Sequence, residues 1–298
     1  MNQQIKAYLF LGTAMAIIGS SMSIAKLVIG FIPVFLTSGL RYAISLIILA
    51  PLLWRQKKGF PSFYKISKKN LFILFLQALT GQFLFSVFLL FGLKYITASE
   101  SGILTSTMPA VIGVISFLFL KEKISRHKLA GITSAVLGIM LMNIFGIANL
   151  AQRGSNPLLG SFLVFGAVVG ESLFTIIGKI VSDRLSSLTI VTLVTFFGFL
   201  LFSPFAIYDA ISFNFSSVPL KVWMALLCYG SVTTVVPFIL IIRGLALAPA
   251  STAAVLTGVM PVSSLLFAYL ILNEPFLWVH LLGIGGVLIG ISFIAREF

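Results

Sequence analysis

The chain has 298 residues, of which 59% are apolar and only 9% charged, with a net charge of +13. A soluble domain is about half apolar and a quarter charged, so this chain cannot cover a water-facing surface, and lipid must act as solvent for most of its outside. The positive balance does not point to nucleic acid, because lysine and arginine are confined to short connections, as membrane topology demands.

Ten apolar segments predict ten spanning helices, at 6–26, 31–54, 70–93, 97–120, 127–147, 157–181, 186–208, 219–243, 248–272 and 276–296. Each is near the roughly 20 residues needed to cross the hydrocarbon core. The first follows Lys6, as a signal peptide would, but no clean cleavage site precedes a soluble domain, so it is read as a span. Backbone groups in lipid must be bonded internally, so each span must be helical, and no alternating segments predict a β-barrel. Short connections make neighbouring helices antiparallel. With the N-terminus in the cytoplasm, the inside connections hold Arg55, Lys57, Lys58, Lys65, Lys68, Lys69, Lys121, Lys123, Arg126, Lys128, Arg184, Arg243 and Arg296. The outside ones hold Lys26, Lys94, Arg153 and Lys221. That asymmetry predicts both termini in the cytoplasm.

The stretch Gly92 to Met142 recurs, displaced by 152 residues, as Gly244 to Ile294. Ala98-Ser99 falls on Ala250-Ser251, Met108-Pro109 on Met260-Pro261, Glu122 on Glu274, and Gly138 on Gly290. Glycine, proline and one acid in register mark an internal repeat. The predicted organisation is therefore a first repeat at 1–148, a polar junction at 149–156 and a second repeat at 157–298. Five helices per half is an odd number, so the second half enters the membrane the other way round. The predicted fold is an all-α membrane protein of ten transmembrane helices in two inverted five-helix repeats (5+5), with substrate near the midplane between them.

Gly92-Leu-Lys-Tyr-Ile-Thr-Ala-Ser, Met108-Pro109 and Leu120-Lys-Glu122-Lys resemble the EamA-type family of the drug/metabolite transporter superfamily. The second copy, Gly244-Leu-Ala-Leu-Ala-Pro-Ala-Ser, Met260-Pro261 and Leu272-Asn-Glu274-Pro, carries the same signature. The resemblance covers essentially the whole chain. It implies a 5+5 fold, export of small metabolites, often amino acids, from bacterial cells, and a cavity lined largely by spans 1, 3, 4, 6, 8 and 9. Where relatives often place a tryptophan before the Gly-Ser pair of the first span, this chain has Ile18.

Polar residues within spans are the candidate site. Glu171 lies midway along the sixth span. A charged carboxylate there costs at least about 2–3 kcal/mol, so it must be paired, wetted or protonated. It reads as a cavity acid that binds a substrate ammonium or takes up a proton, against the plainer reading of a carboxyl bonded to a neighbouring helix. Arg41, deep in the second span, has the fork that binds a carboxylate, but the resemblance sets it on a peripheral helix, and a structural role is expected. Gln82 is too polar to face lipid. Gln82, Ser20, Ser23, Thr105, Thr175, Tyr229, Thr234 and Thr257 complete the candidate substrate-binding set. The small residues of the first span are also what close helix packing would require. Pro109, Pro237 and Pro261 are expected to kink their helices. Glu122 and Glu274, at helix ends, are expected to be structural, and Glu100 suits a helix N-terminus.

The expected function is a multi-pass transporter of the bacterial cytoplasmic membrane, moving a small metabolite such as an amino acid by alternating access, with Glu171 as the proton-coupling group. An uncoupled facilitator or channel is the alternative. No catalytic constellation for an intramembrane enzyme, no metal-ligand spacing and no cofactor signature is present in the sequence. Expected partners are the substrate and membrane lipid, with the chain a monomer or homodimer.

Overall fold

The computed structural model describes residues 3–55, 66–105, 107–108, 111–112, 114–115, 130, 133–134, 137, 155–182, 185–247, 256, 259–273 and 278–295. These residues are helical, without a strand. In chain order the helices are α1 (Gln3–Ile29), α2 (Val34–Arg55), α3 (Lys68–Gly92), α4 (Ala98–Thr105), α5 (Pro157–Ser182), α6 (Ser187–Ile211), α7 (Leu220–Leu247), α8 (Val259–Leu272) and α9 (Trp278–Ala295). Six of them, α1, α2, α3, α5, α6 and α7, are long and apolar enough to cross a membrane. The predicted spans 97–120 and 248–272 are described in part. Almost all of 127–147 lies outside the described residues, so the predicted total of ten is not reached within them.

Local chemistry sets the helix ends. The Ser67 hydroxyl accepts from Asn70 N (3.3 Å) at the start of α3, and Ser186 Oγ from Thr189 N (3.2 Å) at the start of α6. Asn156 Oδ1 accepts from Leu159 N (3.1 Å), while Pro157 takes the first position of α5, where a missing N–H costs nothing. Thr97 and Glu100 cap α4 reciprocally: Thr97 N donates to Glu100 Oε2 (3.0 Å) and Glu100 N to Thr97 Oγ1 (3.1 Å). That is the helix-terminal role expected of Glu100. Asn273, with φ of 51°, stops α8 in the left-handed conformation that asparagine tolerates.

The protein is inside out relative to a soluble one. Trp54, Leu158, Tyr208 and Ile211 are each more than three-quarters exposed, whereas Gln77, Gln82, Ser45 and Arg41 are buried. Such a surface is stable only against acyl chains. α1 packs against α7 and α8, α5 against α3, and α2 against both α6 and α7. α2 and α6 run antiparallel. Leu36 N donates to Asp209 Oδ2 (3.4 Å), Gly39 meets Ala206, and Tyr42 stacks on Phe202 (5.6 Å between ring centres). α3 and α5 are antiparallel too, with Gly92 near Gly160 at one end and Gln77 near Gly178 at the other.

α3 is not α-helical throughout. Leu79–Leu84 form a π turn between Lys68–Ala78 and Phe85–Gly92. The wider turn receives α5: Gly81 lies under the Phe174 ring, and Gly170 lies against the Thr80 carbonyl. A Cβ built on Gly170 would stand 2.7 Å from that oxygen. Gly170→Val should therefore force α5 off α3 and cost about 1–3 kcal/mol, read as a lowered thermal-unfolding midpoint of the detergent-solubilised protein.

Candidate functional site

Polar side chains from α2, α5 and α7 form a layer midway through the bundle, and Arg41 is its centre. Its side chain is only 5% exposed. Arg41 Nε donates to Thr234 Oγ1 (2.8 Å) and Nη1 to Tyr229 Oη (2.8 Å). The guanidinium carbon also lies 4.5 Å from the Tyr229 ring centre and 4.9 Å from that of Tyr42. Aromatic faces stabilise a cation where water cannot. Below this, Ser45 Oγ is bonded to Arg41 O (2.9 Å) and Gly230 O (2.6 Å), drawing α2 onto α7 at a glycine.

Tyr229 and Thr234 thus serve Arg41 in this arrangement. The Thr234 hydroxyl also donates to Tyr229 O (2.7 Å), so both its roles are filled. The structural position expected of Arg41 agrees with these bonds, but its partners are hydroxyls on α7 rather than Glu171. No ion pair joins Arg41 and Glu171 among the described residues, although each lies within the other's electrostatic reach. The Glu171 carboxylate accepts no hydrogen bond from a described residue, and its oxygens are not sealed in, the residue keeping 9% of its surface.

The other candidates are more dispersed. Gln82 sits in the π turn with its Cβ 3.2 Å from a Cβ built on Gly198. Its amide nitrogen and oxygen are both buried without a partner among the described residues. Its carbonyl accepts from Tyr42 Oη (3.3 Å), which also meets Ser86 Oγ (3.0 Å). Thr175 Oγ1 bonds back to Glu171 O (3.1 Å), an ordinary helical back-bond. Ser20 bonds back to Ile17 O (2.7 Å), and Ser23 Oγ is buried without a described partner. Gly19 of α1 abuts Met260 O and Ser263 on α8, so this part of α1 is close-packed. Thr105 donates to Gly102 O (2.9 Å) at the end of α4. Pro237 lies within a continuous α7, and Pro261 within α8. Thr257, Pro109, Glu122 and Glu274 lie outside the described residues.

One relation escaped the sequence reading. Displaced by 152, Gln77 falls on Tyr229, Gln82 on Thr234 and Phe85 on Pro237. The π turn of α3 and the proline-bearing middle of α7 are therefore the same place in the two halves. There Thr233 and Thr234 both donate to Tyr229 O. The signal was available in the repeat register, but not the geometry it carried.

A bundle of long apolar helices around a buried layer of polar side chains, built from two like halves, defines the class: a polytopic membrane transporter. The sequence profile of the EamA-like transporter family matches residues 5–144 and again 158–296, and the chain belongs to that family. It is 45% identical over 292 residues to the "Uncharacterized transporter YetK" of Bacillus subtilis (strain 168), covering 98% of this chain and 87% of that one. It is 25% identical over 293 residues to an "Uncharacterized transporter" of Archaeoglobus fulgidus, covering 98% of this chain and all of the other. A solved crystal structure at 18% identity superposes with a TM-score of 0.65 over 98% of both chains, a likeness of fold alone.

Tyr229→Phe removes one hydrogen bond to a buried charge, a bond worth about 1.5–3 kcal/mol. The variant should unfold at lower temperature than the parent, whereas Thr175→Ala should not.

Proposed function

We propose that this protein exports a small polar or amphipathic metabolite, such as an amino acid, across the bacterial cytoplasmic membrane by alternating access. Two five-helix halves, 1–148 and 157–298 joined by 149–156, make ten helices and rock about the polar layer as a monomer or homodimer, with both termini in the cytoplasm. The observation that carries the reading is Glu171. It is a carboxylate midway along α5, buried in a lipid-facing bundle and without a hydrogen-bond donor among the described residues. A group so placed is held for a mobile partner, either a substrate ammonium or a proton.

Supporting the inversion, α2 and α6 hold the second place in their respective halves and run antiparallel, as a twofold axis in the membrane plane requires. Tyr229, Thr234 and Gln82 surround the layer, with Thr175 on the helix of Glu171. Ser20, Ser23 and Thr105 extend it toward α8, and Thr257 belongs to the same set by its register. Pro109, Pro237 and Pro261 are the hinges. Glu122 and Glu274 are structural. Neither cofactor nor catalytic step enters this mechanism.

Proton antiport through Glu171 makes a specific demand. In proteoliposomes, Glu171→Gln should abolish uptake driven by an imposed pH gradient while leaving exchange of labelled for unlabelled amino acid measurable. Unchanged gradient-driven flux would return the protein to an uncoupled facilitator, and absence of any exchange would point to a channel. For orientation, a fluorescent-protein fusion at the C-terminus should fluoresce, and an alkaline phosphatase fusion there should be inactive.

A further inference from the structure

Arg41 is held on two sides and left open on a third. A guanidinium has five N–H donors. Thr234 takes Nε–H and Tyr229 takes one on Nη1, which leaves three, two of them on Nη2. The Nη2 end makes no hydrogen bond to a described residue, yet it is not among the polar atoms buried without a partner. It is therefore reachable. The rings of Tyr42 and Tyr229 and the bonds to α7 fix the plane of the fork, so the open end has one orientation. No described carboxylate pairs with this charge, and the acid within its electrostatic reach, Glu171, is itself unbonded. Two opposite charges thus occupy one buried layer, each with unused hydrogen-bonding capacity and neither closing on the other.

We propose that Arg41 is the carboxylate-binding residue of the transport site, its open Nη2 end receiving a substrate carboxylate while Glu171 faces the substrate's ammonium group, so that the site selects zwitterions. This rests on the transporter reading above and adds what that site recognises. A planar fork with its plane preset suits a carboxylate over a point anion, because two parallel N–H bonds fix direction as well as charge. A zwitterion also neutralises both buried groups at once. A simple amine or a simple acid would leave one of them uncompensated in a medium where that is costly.

The test uses the full-length protein in detergent, with thermal stabilisation read against each proteinogenic L-amino acid and its α-amide. The amide keeps the ammonium and loses the carboxylate. At least one acid should stabilise the parent at concentrations tenfold or more below those its amide requires. Arg41→Gln should erase that difference. Ser45→Ala, which loosens the same α2–α7 contact without touching the guanidinium, should preserve it. Acid and amide binding alike in the parent would overturn the proposal, as would a panel in which no acid binds, or an Arg41→Gln variant that folds and still discriminates. Should Arg41→Gln fail to fold, the parent and Ser45→Ala comparisons decide. Counterflow of nucleosides or vitamins, with none of amino acids, would leave the transporter reading standing and remove this one. Absence of counterflow for every compound would remove both.

Discussion

A cation cannot be left bare in a bundle whose solvent is lipid, and the middle of this protein is arranged around that fact. Arg41 cannot be hydrated from the surface, so its charge is met by two hydroxyls and two aromatic faces within the fold. Tyr229 and Thr234 lie on α7 and Ser45 binds Gly230 beside them, so satisfying Arg41 also fixes where α2 sits on α7. α2 in turn carries Tyr42, whose hydroxyl reaches the π turn of α3, and that turn receives α5 with Glu171. The chain of contacts from Arg41 to Glu171 passes through four helices, and the register of each depends on the one before it.

Much of the architecture was legible in the sequence because lipid imposes long apolar runs and because the repeat keeps its glycines and prolines in register. The spans predicted at 157–181 and 186–208 fall almost on α5 and α6. The cap at Glu100 was legible as well, since a capping box is local. What could not be read was tertiary. Tyr229 and Thr234 are 188 and 193 residues from Arg41, and no spacing says which face of α7 meets α2. The π turn was hidden for a related reason: no proline marks Leu79–Leu84, and the wider winding goes with a neighbour's approach and a neighbour's hydroxyl. Phe83 was a candidate cavity aromatic, yet it stacks on Phe202 (4.8 Å) and Phe205 (5.9 Å), because aromatic packing across α2, α3 and α6 fills that side of the bundle.

The two halves are alike in plan and unlike in how their central polar groups are settled. On the α2–α7 side, Thr234 is doubly bonded and Arg41 is anchored. On the α3–α6 side, Gln82 stands at the place matching Thr234, and its amide is unbonded among the described residues, as is the Thr195 hydroxyl on α6. An inverted repeat with identical halves would balance these two contacts, and this one does not. The imbalance lies in side chains rather than in backbone, which is where a symmetric scaffold can differ most cheaply between its two sides.

The π turn of α3 also changes the helix beyond it. Holding one surplus residue in a single turn re-phases everything downstream by about 100° relative to an unbroken α-helix. Gln77, before the turn, therefore addresses α5 through the Phe174 carbonyl, whereas Ser86, after it, addresses Tyr42 on α2. A straight cylinder of the same composition would have to choose between those two audiences. This one serves both, and a single-residue deletion anywhere in Leu79–Leu84 would turn its second half to face a different neighbour.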